Sequence, residues 1–479
     1  MDIMDLASKG IQAITKSYGK KVNKTATAPE IPQAKPFVIS GSEYRVGFAR
    51  AEFMPADPEN TTYYIAGHGS GHKMEGILSP VYVHAVWLDC GGDEGILWLS
   101  ADAVGLTRVE VNKIRGMIMA SKKISGCRHI NISCTHSHSG IDTIGYWGKP
   151  NLVSIPSDGK DAAYMELLMN TALAVAEEAF AAKKPGKLYT GRITVENGLH
   201  PKRDFVDRHE VLTRLRFVPA DGSAETWIMN FGGHPNSLGG KNRMLSGEYP
   251  YFMREQIKAE HGADVLFGVG AIGGMDVAQL DENDPVNCVK LQAKMLADAV
   301  GKIDNDRELS PEIKVLNQPF YLPISNNVLT LLATRHVMSF NAYPCKEGSE
   351  MNIAMLTEMT YMTFGDQKLL TLPGENFVST VYGAYNSAET SATGKGPEIN
   401  PLPLADICND HTMISFAVTN DMTGYVVPPN DFVLNPTQPY LNGTKDRFGK
   451  NHYHETNSMG PNTQRVIADT FAAVVKNFG

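Results

Sequence analysis

From residue 37 onward the chain alternates apolar runs of strand length with amphipathic runs of helix length, and no Pro/Ser/Gly stretch long enough to act as an interdomain linker interrupts them. That alternation restricts the fold more than any other feature. VYVHAVWLDC and GILWLSADAV read as paired strands, and DVLFGVGAIGG as a buried strand. RVEVNKIRGMIMASKK, YMELLMNTALAVAEEAFAAKK, VNCVKLQAKMLADAVGKI and NTQRVIADTFAAVVKNF read as helices. The pattern predicts an α/β fold with mixed β-sheets and flanking helices in one large domain, residues 37-479.

The first 36 residues read differently. Ile3, Leu6, Ala7, Gly10, Ile11 and Ile14 recur at helical spacing and predict an amphipathic helix that packs against the body. Its stripe lacks aromatic residues, and Lys16, Lys20 and Lys21 cluster at its end, which makes a membrane-surface role the poorer reading. VNKTATAPEIPQAK, residues 22 to 35, has two prolines and no apolar period, so a linker is expected there.

Charge excludes one class of function. Lys and Arg number 44 against 52 Asp and Glu, a formal charge of −8, and without a basic block the chain lacks the means to grip nucleic acid phosphates. No stretch approaches the ~18 apolar residues of a membrane span, and the N-terminus has no apolar core of a signal peptide. A cytoplasmic location with no integral membrane segment is the expectation. Six cysteines without a C-x-x-C pair read as reduced, free thiols.

The chemistry concentrates at strand ends. HINISCTHSHSG (129 to 140) places Ile130, Ile132 and Cys134 on one face of a strand, and His136 and His138 continue that row, so two imidazoles emerge together. Such a pair suits a metal, although hydrogen-bonded loop histidines fit it as well. TWIMNFGGHPNS carries His234 past Gly232 and Gly233, and KLLTLPGENF carries Glu375 past Leu372, where a carboxylate either ligates a metal or favours a helix N-terminus. ISFAVTNDMTGYV ends on Asn420, Asp421 and Tyr425, the last readable as packing. Nitrogen and oxygen ligands at the ends of separate buried strands are what open α/β sheets offer to a site. His68 and His72 in GHGSGHKMEG either approach the substrate from a Gly-rich loop or have no special role.

In order along the chain, YRVGFARAEFMP, SPVYVHAVWLDCGG with LSADAVGL, THSHSG, NFGGHP, SGEYP, LPGENF and NDMTGY resemble the successive blocks of the neutral, non-lysosomal ceramidases. The resemblance covers roughly residues 43 to 475 and is more specific as a series than any one block. It implies a zinc-dependent amidohydrolase that cleaves the amide of an N-acyl compound. The implied Zn²⁺ ligands are His136, His234, Glu375 and Tyr425, with His138, Arg203 in HPKRD and Tyr453 in HYHETNS at the reaction centre. The implied partner is a small-molecule or lipid-like amide substrate.

Three departures limit what the resemblance implies. Ile141, Asp142 and Thr143 follow Gly140 where the family has a Gly/Pro-rich run, so a different pocket floor is expected. Ala278 stands where the family has serine, which excludes a serine nucleophile at that position. The β-sandwich that follows the catalytic domain in the best-known ceramidases is not in the sequence. With the polar flanks PKRDFVDRHE and GGKNRMLSGE, these departures lead to the expectation that a soluble amide is preferred to ceramide. Two alternatives stay open: a zinc hydrolase of a small polar amide, ester or lactone, and a catalytically silent metal- or ligand-binding homologue.

Overall fold

A computed structural model describes residues 3–203 and 208–479. Residues 204 to 207, within the polar PKRDFVDRHE stretch, lie outside the described residues. Two sheets form the centre. A nine-stranded sheet runs in the order Asp264–Val269, Thr226–Phe231, Val211–Pro219, Lys184–Thr194, Tyr44–Glu52, Tyr82–Asp89, Gly95–Ala101, Cys127–Cys134, with Arg307–Glu308 beside Lys184–Thr194. A six-stranded sheet runs Phe37–Ser40, Glu312–Pro323, Ile353–Phe364, Gln367–Thr371, Ile414–Phe416, with Ala342–Pro344 beside Ile353–Phe364. Both mix parallel and antiparallel pairs, as expected of the α/β class.

The sheets pack face to face. Val86 and Leu88 of strand Tyr82–Asp89 join Trp98, Phe217, Val315, Phe364 and Phe416 in the core between them. Val83, Ala85 and Trp87 of the same strand point to the other face and join Leu168, Ala172 and Val175 of helix Ala162–Ala181. This double burial explains why the strand reads as a continuous apolar run. Helices Arg108–Ala120, Ala162–Ala181, Glu248–His261 and Pro285–Val300 cover the outer face of the nine-stranded sheet. Thr463–Phe478 covers the six-stranded one, where Tyr361 packs against Phe471 and Phe478. Among the described residues no helix is long and apolar enough to cross a membrane, and all six cysteines are unpaired thiols.

The N-terminal helix, Ile3–Thr25, is present but turned from the expected orientation. Its buried face is Ser8, Ile11, Thr15, Gly19 and Val22, while Ile3, Leu6 and Ile14 are exposed. Small residues decide this. A Cβ on Gly19 would stand 2.2 Å from the Met351 carbonyl oxygen, so only glycine admits the approach, and Asn23 Nδ2 then donates to the Asn352 carbonyl at 2.7 Å. Close backbone contact holds this helix together with buried Ile11 and Val22, and Ile3, Leu6 and Ile14 of the apolar stripe are left outside. The following stretch has no regular structure but touches the body, with the Tyr321 hydroxyl donating to the Pro29 carbonyl and Ala34 N donating to Gln318 Oε1.

One buried ion cluster fixes helix Arg108–Ala120 against the six-stranded sheet. Glu358, 1% exposed, accepts from Arg115 Nη2 at 2.6 Å and Arg108 Nη2 at 3.1 Å. Burial alone would raise its carboxyl pKa, but the two guanidinium groups outweigh that and hold it below the ordinary range. Glu358→Ala strands two cations, so it should cost about 3 kcal/mol, the lower end for broken buried pairs because both arginines keep some water contact. Urea unfolding measures this, and an unchanged midpoint would show the cluster to be energetically neutral.

Candidate active site

Parallel strands of both sheets end at the same place. Cys127–Cys134 lies parallel to Gly95–Ala101, Thr226–Phe231 to Asp264–Val269, and Gln367–Thr371 to Ile414–Phe416. Beyond these ends the chain brings together His136, His138, His234, Glu375 and Tyr425, all buried.

The two histidines of H-x-H converge by a turn, not by strand alternation. The strand stops at Cys134, and His136 takes a left-handed conformation, φ 61°. What holds it there is a bond from its ring, since Nδ1 lies 2.5 Å from the Val104 carbonyl oxygen. Its Nε2 then meets His138 Nε2 at 3.1 Å. Gly67, φ 98°, packs flat against the second ring, and a Cβ there would stand 2.3 Å from it. His234 follows Gly232 and Gly233, and its Nδ1 donates to the Met275 carbonyl at 3.0 Å.

Glu375 is no helix cap. It pairs with Tyr425 as a parallel neighbour, while Phe377 takes the cap position of the next helix. Its Oε2 lies 2.9 Å from His234 Nε2 and 3.3 Å from His136 Nε2. Burial would raise this carboxyl, but His136 and His234 outweigh it and pull the pKa down to about 2. Burial would lower His234, yet Glu375 lifts it above the usual imidazole value. Burial, with the neighbouring imidazoles of His136, His68 and His234, holds His138 neutral, well below its usual value. Burial beside the Glu375 carboxylate drives the Tyr425 phenol far up.

These contacts carry a chemical requirement. A carbonyl oxygen only accepts, so Nδ1 of His136 and of His234 must carry the proton, and each neutral ring offers a lone pair at Nε2. Both lone pairs face a carboxylate oxygen. That arrangement holds only with a proton or a cation between the groups. Rings that donate Nδ1–H to backbone carbonyls and present Nε2 inward are built as metal ligands are. Among the described residues His136, His138 and His234 form the one compact group of three side chains able to hold a metal ion, with ligand atoms within 4.8 Å of one another. The acid Glu375 sits directly against two of them.

Arg203 is not in this group. Its Nη2 pairs with Glu455 Oε2 at 2.9 Å, its Nε donates to His454 Nδ1 at 3.2 Å, and its plane lies over Phe377. The residue it serves is His454, which no motif in the surrounding sequence singles out. Since Nδ1 accepts from Arg203, the proton of His454 is on Nε2, a buried atom without a protein partner in the cavity wall. Burial, reinforced by Arg203, keeps this ring neutral. Tyr453 stacks on His454 at 4.1 Å and stands half-exposed at the cavity mouth. His68 lines both sides of the cavity and its ring lies 5.1 Å from that of His138.

The cavity has two contrasting sides. One is walled by Val104, Ile144, Tyr146, Trp147, Leu329 and Met338. The other is walled by Lys202, Asn236, Asp276, Tyr453 and His454, with Lys202 ion-paired to Asp276. The Ile141–Thr143 departure builds the apolar wall. Asp142 accepts from the backbone N–H groups of Ile144, Gly145 and Trp147, which folds that loop over the site. Ala278 lines neither side, so the missing serine hydroxyl is no loss to the cavity.

Set against known proteins, the sequence matches no protein-family model and no curated protein. Solved structures do match. The neutral ceramidase from Pseudomonas aeruginosa superposes with a TM-score of 0.65 over 91% of this chain and 75% of its own, at 14% identity. A ceramidase complexed with C2 superposes with a TM-score of 0.61 over 91% of this chain and 76% of its own, at 13% identity. The chain has the neutral ceramidase fold. At such identity the likeness speaks for architecture.

The start of helix Glu248–His261, from the SGEYP block, clamps both histidine loops. Ser137 Oγ donates to the Ser246 carbonyl, Ser139 Oγ and Leu238 N donate to Glu248 Oε1, and the Tyr249 hydroxyl donates to the Gly233 carbonyl. Burial pushes the Glu248 carboxyl up from 4.5 to about 7. Between those values the folded state keeps a proton that the unfolded chain has released. The stability this acid contributes is therefore complete at low pH and declines as pH rises through the window, by about 3 kcal/mol. Glu248→Gln should flatten that decline in urea midpoints taken from pH 5 to 8, and an unaltered slope would exclude the buried acid as its source.

Proposed function

We propose that the chain is a zinc-dependent amidohydrolase of N-acyl compounds. The observation that carries the reading is the pair of imidazole lone pairs at His136 and His234 facing the Glu375 carboxylate in a buried pocket. His136, His234, Glu375 and Tyr425 would hold Zn²⁺, and the donor set of two imidazoles, a carboxylate and a phenol suits that ion. Zinc bound there would polarise the amide carbonyl and acidify a water to a pKa near ~7.

The chain's own residues do the rest. His138, neutral at working pH, accepts a proton from the attacking water at Nε2 or Nδ1 and returns it to the departing amine. His454 Nε2–H, held by Arg203, donates to the carbonyl oxygen as charge develops on it, with the Tyr453 hydroxyl beside it. Arg203 is thus a positioning residue. The apolar wall suits the acyl half and the Lys202–Asp276 side suits a polar amine half, with His138, which lines both, between them.

Metal analysis tests the ligand set. His136→Ala and His234→Ala should each lose most of the zinc, and His138→Ala should keep it while turnover falls by roughly 10² to 10⁴. Full zinc in the first two variants would sink the assignment. Zinc loss in His138→Ala would instead favour the three-histidine group as the ligands.

His454 and Arg203 make a second test. His454→Ala should lower kcat by roughly 10²-fold with little effect on KM, as for a lost oxyanion donor. Arg203→Lys should recover more activity than Arg203→Ala because it still supplies a proton to His454 Nδ1. Equal activity in both Arg203 variants would return that residue to a purely structural role.

A second reading, hydrolysis of a small polar amide, ester or lactone, is favoured by the Lys202–Asp276 wall. Comparing kcat/KM for an N-acyl sphingoid base with that for short N-acyl derivatives of polar amines separates the two, and zinc without turnover of either supports a silent binding protein.

A further inference from the structure

The N-terminal helix has two working faces. One packs on the body through Ser8, Ile11, Thr15, Gly19 and Val22. The opposite face carries Ile3, Leu6 and Ile14, exposed by 68%, 52% and 49%, and Gly10 and Ala13, also exposed, continue the row between them. A helix already anchored through small residues needs none of this bulk outside, where polar side chains would keep the helix soluble. Along the same helix stand five lysines, 9, 16, 20, 21 and 24, against one acid, Asp5, in a chain whose net charge is −8. At 100° per residue Lys21 and Lys24 extend the apolar row, while Lys9, Lys16 and Lys20 flank it on one side.

We propose, against the expectation from the sequence and because Ile3, Leu6 and Ile14 lie outside with the lysines in line with them or beside them, that this outer face docks on an anionic lipid surface. Isoleucine and leucine would enter the headgroup boundary while the lysine stems lie along it and their ammonium groups meet lipid phosphates. A second copy of the chain fits poorly, because a two-fold contact through this face would set the lysine rows against each other. An acidic protein surface would answer the lysines but leaves three aliphatic side chains without a reason to be outside. Each lysine near an anionic bilayer contributes about a fivefold gain in partitioning, and the apolar row adds contacts that charge alone does not supply.

Co-sedimentation of the full chain with vesicles tests this. The wild type should bind vesicles of phosphatidylcholine mixed with phosphatidylglycerol, not phosphatidylcholine alone, and should detach as salt is raised. Lys16→Glu/Lys20→Glu/Lys21→Glu should weaken binding by at least roughly 100-fold. Leu6→Asp/Ile14→Asp should also abolish it, and both variants alter exposed side chains, so their thermal unfolding should match the wild type. No binding of the wild type at low salt would overturn the proposal. So would wild-type binding by the Leu6/Ile14 variant, which marks a purely electrostatic contact suited to an acidic protein, or a dimer that Leu6→Asp/Ile14→Asp disrupts without any vesicle binding.

Discussion

A carboxylate oxygen facing two imidazole lone pairs among buried side chains is a contact that repels unless positive charge lies between the groups. Much of the site follows from that contact. The Val104 and Met275 carbonyls fix the tautomers of His136 and His234. The SGEY turn holds the two histidine loops in place, and the parallel pairing of Glu375 with Tyr425 sets the acid opposite them. The neighbouring neutral groups, His138 and His454, are kept uncharged by the same burial that makes the central contact costly.

Four residues on the segments that build this centre carry backbone strain. His136, Val418, Asn420 and Glu248 all take positive φ, at 61°, 47°, 65° and 52°. For a β-branched residue such as Val418 the cost is roughly 1–2 kcal/mol. The segment from 417 to 420 is held nevertheless, because it is bonded on both sides. Val418 N and Thr419 N donate to Gly374 O and Leu372 O, while Val418 O and Ile132 O accept from Cys134 N and Asn420 N. Asn420 Oδ1 also accepts from Ile132 N at 2.8 Å. The strained turn is a seam between the two sheets.

The α/β class and the main helices were legible because doubly buried strands and covering helices leave strong apolar periods. So was the convergence at strand ends, since His136, His234, Glu375 and Tyr425 each follow an apolar run that stops at glycine or a turn. Three things were not. The facing of the N-terminal helix depends on how closely Gly19 approaches Met351, and periodicity counts bulk, not closeness. His454 accepts its hydrogen bond from Arg203, 251 residues away in sequence, and no local spacing encodes such a pairing. The role of Asp142 was hidden for a related reason: the residues that break the family pattern there serve three backbone N–H groups, which carry no sequence signature.

The four side chains proposed for the metal come in pairs from different sheets. His136 and His234 follow strands of the nine-stranded sheet, Glu375 and Tyr425 strands of the six-stranded one. A cation gripped by both pairs would be a cross-link between layers that apolar packing, the 417–420 seam and side-chain hydrogen bonds such as Asn230 to Ser415 and Thr190 to Gln367 also join. Its binding free energy then enters the folding equilibrium by mass action. Metal supply and the cohesion of the two sheets would then be coupled, and loss of the proposed ion would remove one link between them.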